Sequence, residues 1–197
     1  MTESAMNRRE QSMNPNEPSK ENTTGILRLF VYGTLKRGYW NHDRFCRGVL
    51  DVQEAVVRGR LCEMPSGIPV LQVPEEDIIA HGTADPLADV ATQARFAEDL
   101  ASILEPVPEN ATAGDCGPVY GELLTFDDPE TRLPAIDRLE GFHPGDSCLY
   151  RRVLVLAYAG KDSIPAWLYM VMDAHGARAI PGGSWPGGNF ANRTVSW

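Results

Sequence analysis

Strand patterns dominate this sequence, and the helical patterns do not alternate with them. The segments "LRLFV", "EAVVRGRLCEM", "SGIPVLQVP", "PVYGELLTF", "YRRVLVLAY" and "PAWLYMVMD" are short, rich in branched and aromatic residues, and bounded by turn residues. Helical spacing is confined to "HDRFCRGVLDVQ", "DPLADVATQARFAEDLASILEPVP" and "DDPETRLPAIDRLEGF". A doubly wound sheet needs a helix between successive parallel strands, and this order does not supply one. The expected fold class is α+β: a small mixed β-barrel or curled sheet with flanking helices.

The domain is expected to run from residue 25 to 175. Residues 1–24 are rich in Asn, Glu, Ser, Pro and Met without periodicity, and read as a flexible leader. In the long helical segment Val90, Ala94, Ala97, Ala101 and Leu104 follow one face. Asp85-Pro86 or Asp89 stands at its start, and Pro106 and Pro108 end it. Glu98, beside Arg95 and Asp99, belongs to its solvated face. "ENATAGDCGP" reads as a loop. The next helix has Pro129 in its first turn and Gly141 at its end. A turn at Ala159-Gly160-Lys161-Asp162 joins the last two strands. Residues 176–197 are too rich in Gly and Pro for regular structure, yet Trp185 and Trp197 imply that the segment packs against something.

With 197 residues and 43% hydrophobic composition the chain can bury one sizeable core. A net charge of −9 repels phosphate backbones and anionic bilayers, so neither nucleic acid nor a membrane surface is an expected partner. No apolar run approaches the roughly 20 residues of a membrane span, and the N-terminus lacks the apolar stretch of a signal peptide. Cys46, Cys62, Cys116 and Cys148 form no CxxC pair and have no His at metal spacing. No zinc site is expected, the cysteines read as buried thiols, and the expected location is the cytoplasm.

The familiar catalytic motifs are missing: there is no GxSxG and no HExxH. His42, His81, His143 and His175 fall in predicted loops or turns and read as exposed. In "LRLFVYGTLKRG" a buried strand stops at Gly33, and the spacing from Gly33 to Gly38 invites a phosphate-loop reading. That reading fails because Tyr39 and Trp40 stand where a lysine and a hydroxyl are needed. One acid remains of interest. Glu140 closes the helix "AIDRLEGF", about one turn after Ile136, where the helix dipole disfavours a carboxylate and raises its pKa. Two readings stand: a surface glutamate in a charged "DRLE" pattern, or an acid put to use.

"FVYGTLKRG", followed in order by "IDRLEGF", "YRRVLVLAY" and "AWLYMV", resembles the gamma-glutamylcyclotransferase-like family, to which the avirulence-induced plant proteins and gamma-glutamylamine cyclotransferases belong. The resemblance runs from about residue 27 to 173. It implies a small barrel whose pocket is lined by Tyr32, Gly33, Thr34 and Leu35, with Glu140 as the acid/base. Tyr150 and Arg152 match the family's Tyr-x-Arg and are expected at the pocket, Tyr150 against substrate and Arg152 supporting the wall. Asn41 matches an asparagine often found after the loop, and "IPGGSW" a Gly-x-Trp ending. Residues 81–116 are extra relative to short members, and either cover the pocket or form an interface.

The resemblance also implies a reaction that needs no cofactor and no metal. The α-amine of a small gamma-glutamyl substrate attacks its own γ-carbonyl, 5-oxoproline forms, and an amine leaves. Tethered attack is worth roughly 7–11 kcal/mol, which accounts for the missing protein nucleophile. One carboxylate can accept the ammonium proton and return it to the leaving nitrogen. At ordinary values, with the amine near 8 and Glu near 4.3, that first transfer is uphill by roughly 5 kcal/mol. Amides after Gly33 are suited to the substrate's α-carboxylate or to the developing oxyanion. Lys36 and Arg37 are either solvated loop charges or ligands that steer an acidic substrate. Tyr32 either stacks on the product ring or fills core. A non-catalytic member that binds a small carboxylate or a protein partner is the alternative. The leaving amine and the oligomeric state are left open.

Overall fold

A computed structural model describes residues 25–102, 116–145 and 148–185. The leader 1–24, the end of the long helical segment with Leu104, Pro106 and Pro108, most of the loop after it, and Trp197 lie outside the described residues.

Five strands close a barrel. They are β1 (Leu27–Val31), β2 (Asp51–Glu63), β5 (Gly117–Phe126), β6 (Tyr150–Ala159) and β7 (Asp162–Val171). Around the ring β2 pairs β5, β5 pairs β1, β1 pairs β7, β7 pairs β6, and β6 returns to β2 through Val56 and Tyr158. Only β1 and β7 run parallel; the other pairs are antiparallel. The barrel is therefore mixed and closed, which removes the exposed edges of an open sheet. β2 is long because it serves two partners. Its first part pairs β5 as far as Gly59, and from Arg60 onward it pairs β3 (Pro69–Gln72). Gly59 permits the crossing, since a Cβ there would lie 2.7 Å from the Gln72 carbonyl oxygen. Two short strands complete the sheet: β4 (Ala80–His81) on β6 and β8 (Arg178–Ala179) on the far end of β2.

The helices are α1 (Trp40–Phe45), α2 (Pro86–Ser102) and α3 (Pro129–Glu140). The segment "HDRFCRGVLDVQ" is not one helix. It splits into α1, which ends at Phe45, and the start of β2 at Asp51. Asp85 caps α2, accepting hydrogen bonds from the amides of Leu87 and Ala88. Gly141, at φ 66°, ends α3 in the left-handed conformation, and the Phe142 amide closes back on the Asp137 carbonyl at 2.8 Å. Arg132 of α3 reaches the carbonyls of Phe45 and Arg47, tying α3 to the end of α1.

β1 shows how the core is divided. Leu27, Leu29 and Val31 pack with Val90 of α2 and with Leu133 and Ile136 of α3. Phe30 and Tyr32, on the opposite face, pack with Val57, Leu123, Val155 and Leu168 inside the barrel. Both faces of the strand are buried, each large apolar side chain being worth about 1.5–3 kcal/mol of transfer free energy. The region after Met172 also packs: Trp185 is 2% exposed and stacks on Tyr39 with ring centroids 5.5 Å apart.

Candidate active site

The cleft forms where β1 leaves the barrel. Val31 ends the strand, and Gly33 to Lys36 make a tight turn in which the Lys36 amide bonds to the Gly33 carbonyl at 3.1 Å. Gly33 answers to proximity rather than to an unusual φ: a Cβ there would stand 3.0 Å from Cγ of Pro69, closer than an ordinary contact. Pro69 begins β3, so the turn and the β2–β3 connection approach each other as two walls. The end of α3 and strands β6 and β7 supply the rest. Phe30, Val31, Tyr32, Gly33, Thr34, Leu35, Ile68, Pro69, Glu140, Tyr150 and Tyr169 line one small open cleft.

Glu140 is the carboxylate among these lining residues. Its apolar surroundings strip water from the charged form and push its pKa up to about 7. Desolvation is the cause the structure supports; the helix-end dipole expected from the sequence is not needed for it. The tyrosines are also held neutral by burial, with the pKa of Tyr32, Tyr150 and Tyr169 each raised. Tyr32 donates its hydroxyl to the Tyr169 carbonyl at 2.8 Å and Tyr169 donates to Asp137 Oδ1 at 2.7 Å. Tyr150 makes a long 3.5 Å contact to the Pro69 carbonyl. A group that enters this cleft thus meets tyrosine and aliphatic side chains, a backbone turn and one acid.

The remaining expected residues stand one layer back. Asn41, 5% exposed on α1, donates from Nδ2 to Thr34 Oγ1 at 2.7 Å. Its neighbour His42 is not an exposed loop residue as expected: it is half-buried on α1, with Nδ1 2.8 Å from the Leu35 carbonyl. His81 lies in β4, although its side chain is exposed. Arg152 has no exposed side-chain surface and binds Asp137 at 2.7 Å and Asp89 at 2.5 Å, with the Thr83 carbonyl at 2.8 Å. It therefore holds Asp137, which holds the wall residue Tyr169. Lys36 and Arg37 do not line the cleft. Lys36 donates to the Trp185 carbonyl at 3.0 Å and lies over the Tyr39 ring, and Arg37 pairs with Glu122 at 2.9 Å. No α2 residue is among the lining set.

Sequence reasoning missed Ile68, Pro69, Tyr169, Asp137 and Asp89. Asp137 had a readable signal, since it precedes Glu140 by three positions and shares its side of α3. Among the described residues no group of His, Cys, Asp and Glu is gathered as a metal would require, and no helix is long and apolar enough to cross a membrane.

The fold and cleft define a small mixed barrel with an acid beside a glycine turn. The sequence matches the family described as "Gamma-glutamyl cyclotransferase, AIG2-like" over residues 29–98 and 91–187, and the chain belongs to that family. It is 25% identical over 148 residues to a Methanocaldococcus jannaschii protein provisionally named a gamma-glutamylcyclotransferase, covering 75% of this chain and 87% of that one. Two solved structures are similar. YkqA from Bacillus subtilis has a TM-score of 0.45 and 19% identity, and the match covers 81% of this chain but 39% of YkqA. An AIG2-like protein from Mus musculus has a TM-score of 0.42 and 19% identity, with 75% of this chain and 78% of that one covered.

Proposed function

We propose that the protein cyclises a gamma-glutamyl amine or peptide to 5-oxoproline, with Glu140 as the acid and base. The observation that supports this most is the placement of Glu140 in the same cleft as the Gly33–Leu35 turn, at a pKa of about 7. Near 7 the acid lies about one pKa unit below an ordinary α-amine near 8, so the proton transfer costs roughly 1.4 kcal/mol rather than roughly 5. The carboxylate removes a proton from the substrate's α-ammonium. The freed amine attacks the γ-carbonyl, forming the ring C–N bond. Collapse of the tetrahedral intermediate re-forms the carbonyl and breaks the bond to the leaving nitrogen, which takes the proton held by Glu140; the ring nitrogen gives its surplus proton to the carboxylate so freed, and that proton leaves with the departing amine as its ammonium. The amides of the turn are suited to the substrate's α-carboxylate or the oxyanion. Tyr32, Leu35, Pro69 and Tyr150 hold the substrate folded in an environment with little water, which favours the ring-closing geometry.

The test is an assay for 5-oxoproline on a panel of gamma-glutamyl amines, dipeptides and ε-(gamma-glutamyl)lysine. The parent chain is expected to turn over at least one, and Glu140→Gln to lose about 10²–10⁴-fold in kcat. Equal rates in the two proteins would remove Glu140 from this role.

A further inference from the structure

β5 meets the end of β1 at Gly121 and Glu122, two residues that do not line the cleft. Glu122 stands opposite Val31, the last residue of β1. At Gly121 a Cβ would lie 2.4 Å from the Val31 carbonyl oxygen and 2.6 Å from Cζ of Phe30, so a glycine is what lets β5 run this close to the point where β1 gives way to the turn. The next side chain reaches past the end of β1. Glu122 Oε2 accepts the Arg37 amide hydrogen at 2.8 Å, and Oε1 accepts from Arg37 Nε at 2.9 Å. These two bonds differ in kind. The second joins a half-exposed arginine to a carboxylate at the surface, which is worth little. The first is a charge-assisted bond to the backbone four residues beyond Gly33, and it fixes the course of the chain whatever side chain stands at 37. The other bonds of the turn do not do this. Lys36 to the Gly33 carbonyl and Tyr39 to the Lys36 carbonyl give the turn its shape. Asn41 to Thr34 and His42 to the Leu35 carbonyl join it to α1, which follows it and would move with it. Lys36 reaches the Trp185 carbonyl, outside the five barrel strands. Glu122 is a barrel residue.

We infer that Glu122 is a positioning residue: by accepting the Arg37 amide hydrogen it anchors the Gly33–Leu35 turn to the barrel, and so sets that wall of the cleft against Pro69 and Glu140 without touching the substrate. This rests on the reaction proposed above. Ring closure tolerates less displacement than binding does, so loss of the anchor falls on kcat more than on KM. What matters is an acceptor at 122 for a backbone donor, and neither the negative charge nor the ion pair with the Arg37 side chain.

The experiment uses the full chain, with kcat and KM measured separately by 5-oxoproline release from a gamma-glutamyl compound that the parent turns over. Glu122→Leu keeps the size of the side chain and removes the acceptor. Its kcat should fall about 10- to 100-fold, as for loss of a charge-assisted hydrogen bond, with KM moving much less. Glu122→Gln keeps one carbonyl oxygen for the Arg37 amide, and the exposed arginine side chain can swing away from the new amide nitrogen, so kcat should return to within about threefold of the parent. Arg37→Met deletes the ion pair and leaves the backbone donor, and should stay within about threefold as well. Hydrogen exchange at the Arg37 amide gives a readout apart from turnover: about 10-fold or more faster in Glu122→Leu than in the parent, and slow in the other two variants. Melting curves show that each variant is folded. A parent-like kcat or an unchanged Arg37 exchange rate in Glu122→Leu, a loss carried by KM alone, or a kcat as low in Glu122→Gln or Arg37→Met as in Glu122→Leu would overturn the inference while leaving the cyclisation standing. Absence of turnover by the parent on every gamma-glutamyl compound would overturn both.

Discussion

Asp89 of α2 and Arg152 of β6 form an ion pair at 2.5 Å in which the arginine side chain is wholly buried and the aspartate is 2% exposed. The same guanidinium holds Asp137 of α3 and lies near two rings, Phe142 at 5.2 Å and Trp167 at 5.6 Å. One cation thus fastens two helices to the barrel wall behind the cleft. Replacing it leaves two carboxylates with their charges uncompensated in a dry interior. Arg152→Met is expected to cost about 3–5 kcal/mol in urea denaturation at neutral pH. The triple replacement with Asp89→Leu and Asp137→Leu should recover much of that stability, since the burial of charge is then gone, while activity stays lost with the Tyr169 anchor. A triple variant no more stable than Arg152→Met would show that the pairing is not the source of the penalty.

A small change at the turn should separate activity from stability. Gly33→Ala sets a methyl 3.0 Å from Pro69 Cγ, so the turn and β3 must give way by a few tenths of an ångström. The turn borders solvent and can shift at little cost to folding, but it is also the wall of the cleft. We expect a loss of about 10-fold or more in kcat/KM, since displacements of that order disrupt a near-attack geometry, with the melting temperature little changed. Gly121→Ala is the contrast. There a Cβ would stand 2.4 Å from the Val31 carbonyl oxygen, between paired strands of the barrel, and loss of folded protein is the expected outcome.

These two glycines also mark where sequence stops being legible. Tyr32 to Leu35 and Glu140 could be singled out because each sits in a compact run, a strand breaking at glycine and a helix ending at one. Pro69 and Ile68 could not, because nothing local marks the β2–β3 connection as the facing wall. Tyr169 was hidden for a different reason. β7 is buried on both faces from Pro165 to Val171, so the period-two alternation that would expose a polar member is lost, and the tyrosine reads as one more core aromatic. The barrel itself was readable from strand order, yet its closure depends on the single register pair Val56 and Tyr158. The split of the segment around α1 followed from Cys46 and Val49 sitting in a turn that hydrophobic spacing alone cannot distinguish from helix.

The segment that carries Trp185 should act on the cleft from outside it. Trp185 stacks on Tyr39, and its carbonyl accepts from Lys36, directly after the turn that lines the site. Trp185→Ala removes a buried indole and frees Lys36 from its apolar setting, where burial lowers its pKa. A destabilisation of about 3 kcal/mol is expected. KM should also rise several-fold at temperatures where the variant remains folded, because the turn has lost its brace. An unchanged KM would confine this segment to a stabilising role.

Glu140 should leave a signature in the pH dependence of both catalysis and stability. In the unfolded chain its carboxyl ionises near the ordinary 4.5, whereas in the folded protein it does so near 7. Ionisation therefore favours the unfolded state. Below about pH 4.5 both forms are protonated and Glu140 has no effect. As pH rises from 4.5 to 7 the penalty grows, and above 7 it is constant, at up to about 3 kcal/mol from the shift. Glu140→Gln, which stays neutral, is expected to melt higher than the parent at pH 8 and at the same temperature at pH 4. The acidic limb of kcat/KM for the parent should likewise fall off below an apparent pKa near 7, since the base must be ionised to take the ammonium proton. A stability difference between the two proteins that does not change with pH would mean that Glu140 meets water freely, and the cleft would then lack the acid on which the proposed chemistry depends.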